Sequence, residues 1–209
     1  VLRDGRHVAT APASTLDTGK IVEMMIGRKL AEYFPPEAHT GPGRERLRVV
    51  GLSSPAGFRD VTFSIASGEV LGMAGLVGAG RSEVARAVFG LDGRASGQVF
   101  VDGQPVRIRS PRQAMQHGIG LVPEDRKRQG LVLSMSSLAN MTLAILPSLA
   151  RATLVKSRAE RAIGQKYFDR LSVRAPNLDA TAAGLSGGNQ QKLVLAKWLA
   201  AQCHVLILD

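Results

Sequence analysis

The sequence predicts an α/β fold with a mostly parallel core sheet, an antiparallel β portion and a helical portion. Three observations predict it. Strand-like and helical segments alternate after residue 46. A glycine-rich turn, GLVGAGRS at 75–82, separates an apolar run from a helical pattern. The last six residues, HVLILD, form a continuous apolar run closed by a carboxylate, which reads as a parallel strand buried on both faces.

In chain order, VLRDGRHV reads as two short strands about an Asp4-Gly5 turn, the tail of something earlier in the chain. Ile21, Met24 and Met25 mark a short helix, and FPPEAHTGPGRER at 34–46 has the prolines, glycines and charges of a linker. The expected organisation is the end of a preceding domain at 1–10, a linker with a short helix at 11–45, and a second domain at 46–209. In that domain LRVVGL, DVTFSI and EVLGMAG read as strands. The helix after the glycine-rich turn places Val84, Val88 and Leu91 on one face and stops near Gly90. GQVFVDGQPVRI reads as a hairpin about Asp102-Gly103, and Ser110-Pro111 as the cap and first residue of a helix that ends at Gly118. Ile119 to Val122 is a buried strand. From about 134 to 199 the pattern is helical, with Ser157 and Glu160 spaced as a capping box ahead of Ile163, Tyr167 and Leu171.

Composition bounds the possibilities. At 209 residues, 44% hydrophobic and 21% charged, the chain has room for one domain with a real core and is too apolar for wholesale disorder. The longest apolar stretch, around 138–154, is broken by Asn140, Pro147 and Arg151, so no bilayer-spanning helix is predicted. The lone Cys203 has no cysteine to pair with, which points to a reducing compartment. A net charge of +10 suits an anionic partner, yet only 4% of residues are aromatic, which supplies few stacking platforms for single-stranded nucleic acid.

Two motifs carry chemistry. Gly75 to Ser82 fits the phosphate-loop pattern GxxxxGK[ST] except that Arg81 stands in place of lysine. Its glycines let backbone amides face a phosphate, the following helix adds its positive end, and Ser82 is a candidate Mg²⁺ ligand. Arg81 keeps the charge but replaces a compact ammonium with a planar fork. Gly19-Lys20 lacks the upstream glycine and the following hydroxyl, and is no such loop. The second motif is LSGGNQQK at 185–192, where Ser186 and two glycines open amides ahead of a helix. His7, His39, His117 and His204 have no metal-site spacing.

The order phosphate loop, LSGG turn and VLILD strand resembles the nucleotide-binding domain of ABC transporters, a branch of the P-loop NTPases. GLVGAGRS, VPEDRKRQGLV, LSGGNQQK and the upstream MIGRKL are similar, more closely, to the second nucleotide-binding half of ATPase subunits of bacterial ribose- and galactose-type sugar importers. That resemblance implies ATP and Mg²⁺ as cofactors. It implies that Gly75, Gly78, Ala79, Gly80, Arg81, Ser82 and Glu83 face the nucleotide, with Ser82 and Asp209 holding Mg²⁺. Glu124 falls where ABC domains usually carry a glutamine, and with Asp209 it is a catalytic candidate. Leu185, Ser186, Gly187, Gly188 and Asn189 would close over ATP held by another half.

The resemblance further implies a peripheral ATPase at the cytoplasmic face of the bacterial inner membrane. Its partners would be transmembrane permease subunits, a first nucleotide-binding half of the same chain and, indirectly, a periplasmic sugar-binding protein, with no nucleic acid. Because Arg81 and Glu124 depart from the pattern, the phosphate loop here is expected to be a weakly hydrolytic or mainly binding site, with Ser186 to Gly188 completing the competent site of the first half. The run Asp125-Arg126-Lys127-Arg128 is read mainly as a solvated loop, with the resemblance implying as the lesser alternative a place near the transmembrane subunit. Residues expected after Asp209 include a catalytic glutamate and further core strands, so residues 1–209 alone are expected to be aggregation-prone. Two other readings remain from the residues: a soluble ABC-type ATPase acting on nucleic acid or the ribosome, and a regulatory nucleotide-binding module without turnover.

Overall fold

The computed structural model describes residues 1–3, 5–27, 43–151 and 154–209, so most of the expected linker, with His39, lies outside the described residues. The chain divides into two compact units, Val1–Gly41 and Pro42–Asp209. In the first, β1 (Leu2–Arg3) pairs antiparallel with β2 (Arg6–His7), as the Asp4-Gly5 turn predicts. Helix α1 (Thr18–Ile26) starts where Asp17 accepts a 2.7 Å hydrogen bond from the Lys20 amide and ends at left-handed Gly27.

The second unit opens with an antiparallel sheet. Strands β3 (Glu45–Ser54), β4 (Phe58–Ala66), β5 (Ser96–Val101) and β6 (Gln104–Val106) lie in the order β4-β3-β5-β6. Leu47 and Val49 of β3 are buried, and the register shifts after Val49 where Gly51 takes a positive φ, a bulge that bends the strand. The hairpin turn has Asp102 at φ 50° and Gly103 at φ 78°, the paired left-handed residues that match strand twist.

Helix α2 (Arg81–Val88) buries Val84 and Val88, but Leu91 lies beyond its end and is 54% exposed, so it is not part of the expected face. The reason is Gly90, whose left-handed φ of 78° turns the chain away one residue earlier. Helix α3 (Pro111–Gln116) is capped by Ser110, which accepts from the Gln113 amide, and leads through Gly118 into β7 (Ile119–Val122), buried at every residue.

The region expected to be helical contains α4 (Ser137–Thr142), α5 (Leu146–Leu149), α6 (Ser157–Arg170) and α7 (Gly187–Ala200), interrupted by a hairpin of β8 (Ala150–Arg151) and β9 (Leu154–Val155). The Ser157/Glu160 capping box does not form. Ser157 is already inside α6, and Glu160 accepts a 2.7 Å bond from Thr142 of α4 instead. Asn140 is 2% exposed, and its amide satisfies Val132, Met135 and Ser136 of the preceding loop. Trp198 of α7 meets Phe89 edge-to-face at 5.6 Å, tying α7 to the end of α2.

Strand β10 (Val205–Leu208) pairs in parallel with β7, Val205 opposite Ile119 and Leu208 opposite Val122. The parallel direction is as expected; burial on both faces is not. Leu206 is 37% and Leu208 67% exposed, because β10 has a single strand partner among the described residues and the outward residues meet an open cleft. EVLGMAG likewise forms no strand: Val70 is 95% exposed and no strand offers it a ladder among the described residues. Apolar sequence marks a segment for burial but does not supply its hydrogen-bonding neighbour.

Two outcomes follow from this packing. A Cβ on Gly90 would stand 2.7 Å from the Ser110 amide nitrogen and 2.8 Å from its carbonyl carbon, at a φ that also disfavours a side chain. Gly90→Ala should therefore destabilise the full-length protein by more than about 2 kcal/mol, read from the chemical-unfolding midpoint. Burial pushes the Cys203 thiol up to about 11 from 9.0. At pH 8 its alkylation, followed by mass mapping, should run roughly a hundred-fold slower than that of an exposed cysteine peptide. Since the folded chain holds this proton more tightly, the group's contribution to stability is present below about pH 9 and is lost as pH rises to about 11.

Candidate nucleotide site

The phosphate loop is shaped by two glycines at φ 83°, Gly78 and Gly80. Gly80 is also confined: a Cβ there would lie 3.0 Å from the Gly57 carbonyl oxygen and 3.3 Å from Phe58 Cβ, so the loop rests on the start of β4. Phe58 is 7% exposed beneath it, a core residue with no face free for stacking on a base. Within the loop the Ala79 amide donates to Leu76 O at 3.1 Å. Gly80 caps α2 without a side-chain bond, so the first amides of that helix remain available to an anion.

Asp209 reaches this helix from the far end of the unit. The β7/β10 ladder continues one step beyond Leu208, the Asp209 amide donating to Val122 O at 2.9 Å. The carboxylate then accepts a 2.7 Å hydrogen bond from Ser82 Oγ, joining residues 127 positions apart. Glu124 follows β7 by two residues and lines the same cleft, together with Arg81, Ser82 and Asp209. The cleft holds about 750 Å³, and its remaining walls are largely apolar, including Phe63, Ile65, Leu206 and Leu208.

Arg81 does not extend freely. Its Nη1 donates to the carbonyl of Gly75, so the guanidinium closes back over its own loop. Glu83 lies in the first turn of α2 but does not line the cleft; nor do Gly75, Gly78, Ala79 and Gly80, which form the loop leading to Arg81.

The signature residues stand apart from this cleft. Ser186 precedes α7, and Gly187 and Gly188 form its first turn. Asn189 orders the turn: its Nδ2 donates to Ser186 Oγ at 2.9 Å and its Oδ1 accepts from the Arg174 amide at 2.8 Å. Leu185 and Gly187 are half-buried while Ser186 and Gly188 are exposed, so the turn lies open to solvent. Sequence reasoning missed one neighbour. Arg126, read as part of a solvated run, lies against Gly187, and its Nε is buried without a hydrogen-bond partner among the described residues.

A phosphate loop whose serine meets a strand-end aspartate, with an LSGG turn on a separate face, agrees with the family match. The family model described as "ABC transporter" matches residues 58–209. The chain belongs to the ABC transporter family.

Among solved structures, a nucleotide-free ATP-binding cassette from an ABC transporter superposes with a TM-score of 0.65 at 18% identity, covering 79% of this chain and 68% of that one. A dimeric, post-hydrolysis ATP-binding cassette bound to ADP and Pi gives 0.64 at 19% identity, covering 78% and 73%. At such identities the likeness establishes the ABC fold and nothing finer.

Sequence relatives are nearer. The Ribose import ATP-binding protein RbsA of Geobacillus kaustophilus (strain HTA426) is 47% identical over all of this chain and 42% of its own length. A protein of Rhizobium meliloti (strain 1021) named for ribose, galactose and methyl galactoside import is 44% identical, with the same shares covered. The chain thus spans about two fifths of the length of the curated relatives it matches. No helix among the described residues of this ABC chain is long and apolar enough to cross a membrane.

Proposed function

We propose that the chain is the second nucleotide-binding half of the ATP-hydrolysing subunit of a bacterial monosaccharide importer, for ribose, galactose or a similar sugar. The reading is carried by the Ser82–Asp209 hydrogen bond in the cleft, with the signature turn outside it. One half then holds only part of each ATP site. The phosphate loop takes a nucleotide that another half's signature turn must cover, and Leu185 to Asn189 cover the nucleotide of that other half. The relatives' names supply the sugar class, and the energy of closure would pass to permease subunits at the cytoplasmic face of the membrane, loaded from outside by a sugar-binding protein.

The donors at the cleft fit Mg²⁺. A hydroxyl and a carboxylate are hard oxygen ligands, and among the described residues no cluster of three or more His, Cys, Asp or Glu could cage a metal by itself. Ser82 and Asp209 would hold the ion, with phosphate oxygens and water completing its shell. When bound, it supplies compensation of the phosphate charge. The rest falls to the chain: the first-turn amides of α2 bind phosphate oxygens, and Asp209 keeps Ser82 oriented.

Arg81 and Glu124 make this phosphate loop a binding site with weak hydrolysis. Phosphoryl transfer depends on positive charge placed at the terminal phosphate and on an oriented water. The Arg81 fork is engaged by the Gly75 carbonyl, and a carboxylate at Glu124 cannot donate as an amide does. The competent site is then the one that Ser186 to Gly188 complete.

The test is ATP turnover by the full-length protein with its permease in proteoliposomes, stimulated by ribose- or galactose-loaded binding protein. Gly187→Asp should lower turnover by about a hundred-fold or more, because a side chain there displaces Arg126 from the start of α7 and adds negative charge to a turn that must meet a phosphate. Arg81→Ala should lower it by no more than about three-fold. If Arg81→Ala stopped turnover and Gly187→Asp did not, the assignment of roles would be wrong; no sugar-stimulated turnover by the wild type would sink the importer reading itself.

A further inference from the structure

We infer that Arg126 is a positioning residue for the signature turn, tying the segment that follows Glu124 to the start of α7. The inference rests on the reading just given, in which the turn covers a nucleotide held by another half. Arg126 opens a one-turn π-helix, Arg126–Gly130, that acts as a unit. Asp125 Oδ1 accepts from the Lys127 and Arg128 amides at 3.0 and 3.1 Å, and its carbonyl accepts from the Gln129 amide at 2.9 Å. Single π turns of this kind bring a side chain to a place that a regular helix would miss.

This unit grips α7 at both ends. At Gly130 the carbonyl accepts a 2.8 Å bond from Lys197 Nζ, and a Cβ on Gly130 would lie 3.1 Å from Val194 Cγ2, so the backbone packs directly on the helix. Lys197 is half-buried there, and burial pulls its ammonium below the usual lysine range. At the other end, Arg126 Nη2 occupies the space a side chain on Gly187 would need, 2.5 Å from an ideal Cβ, with Cζ at 3.5 Å. Gly187 is therefore bare on the side that Arg126 fills.

The electrostatics give the contact a direction. Arg126 has no carboxylate partner among the described residues, and it stands beside the positive end of a fourteen-residue helix. Two like charges held together repel, so the arrangement relaxes when an anion docks at the turn. Only Asp125 separates this π-helix from Glu124, so Arg126 joins the segment that leaves the cleft to the turn that serves the other ATP site.

A double-mutant cycle in the full-length protein with its permease tests this. Arg126→Ala should lower kcat for ATP about ten-fold while KM for ATP stays within about two-fold, because the nucleotide is held by the other half. Gly187→Ala, whose methyl group displaces Arg126, should have a similar effect. The double variant should be no more than about two-fold worse than either single one. Arg126→Lys should recover at least half of the lost turnover, and the exposed Lys127→Ala should behave as wild type.

Thermal midpoints near that of the wild type accompany the expected result. Were Arg126→Ala to unfold the chain, Arg126→Gln, which keeps the length but not the charge, would replace it in the cycle. Wild-type-like kcat in Arg126→Ala, or multiplying effects in the double variant, would overturn the inference alone. A wild type that hydrolysed no ATP would overturn the functional reading and the inference with it.

Discussion

The parallel pairing of β10 with β7 is the constraint on which the site depends. Gly118 O accepts from both the His204 and Val205 amides, at 2.7 and 3.1 Å, and pins the start of the register; the Asp209 amide on Val122 O pins its end. Side chains alternate along a strand, so a slip of one residue would carry the Asp209 carboxylate to the other face and break its bond to Ser82. The slip is opposed by the complete burial of Ile119 to Val122 and by Gly120, whose bare Cα lets Trp198 and Cys203 approach to within 3.0 Å of where a Cβ would be. Packing behind the strand thus fixes the chemistry at its tip.

The other half of the site hangs on the antiparallel sheet. Gly80 touches the Gly57 carbonyl and Phe58, so the phosphate loop inherits its position from the β3/β4 turn rather than from the segment before it. That accounts for a formed loop after residues 69–74 that join no strand. It also means that the two partners in the Ser82–Asp209 bond are held by different sheets, Ser82 through the loop resting on β4 and Asp209 through the β7/β10 pair.

Much of this was legible in the sequence, where local chemistry decides structure. The Asp102-Gly103 hairpin, the Ser110-Pro111 helix start and the buried run Ile119 to Val122 all follow from turn, cap and hydropathy signals, and the structure contains each of them. The phosphate and signature turns were legible for the same reason, since each needs glycines at defined offsets. What was illegible depended on a distant partner. Leu206, Leu208 and Val70 read as core because they are apolar, yet exposure is decided by which strand lies alongside. Glu160 read as a cap, but the hydroxyl of Thr142, eighteen residues earlier, competes for it and wins. Arg126 read as solvated because its neighbours Lys127 and Arg128 are; only the π turn separates it from them.

Substitution of arginine for lysine in the phosphate loop illustrates how a small departure acts through geometry. A lysine ammonium has three donors at one point and would follow a phosphate wherever it sits; the arginine fork spreads its donors over a plane. With Nη1 on the Gly75 carbonyl, the plane is set by the loop itself, and the charge that faces the cleft is fixed before any ligand arrives. A fixed charge suits holding a ground-state phosphate, and a movable one suits following charge as it migrates during transfer. On the proposed reading, that difference is why a loop with every glycine in place would bind a nucleotide well and hydrolyse it poorly, leaving turnover to the site that the LSGG turn completes.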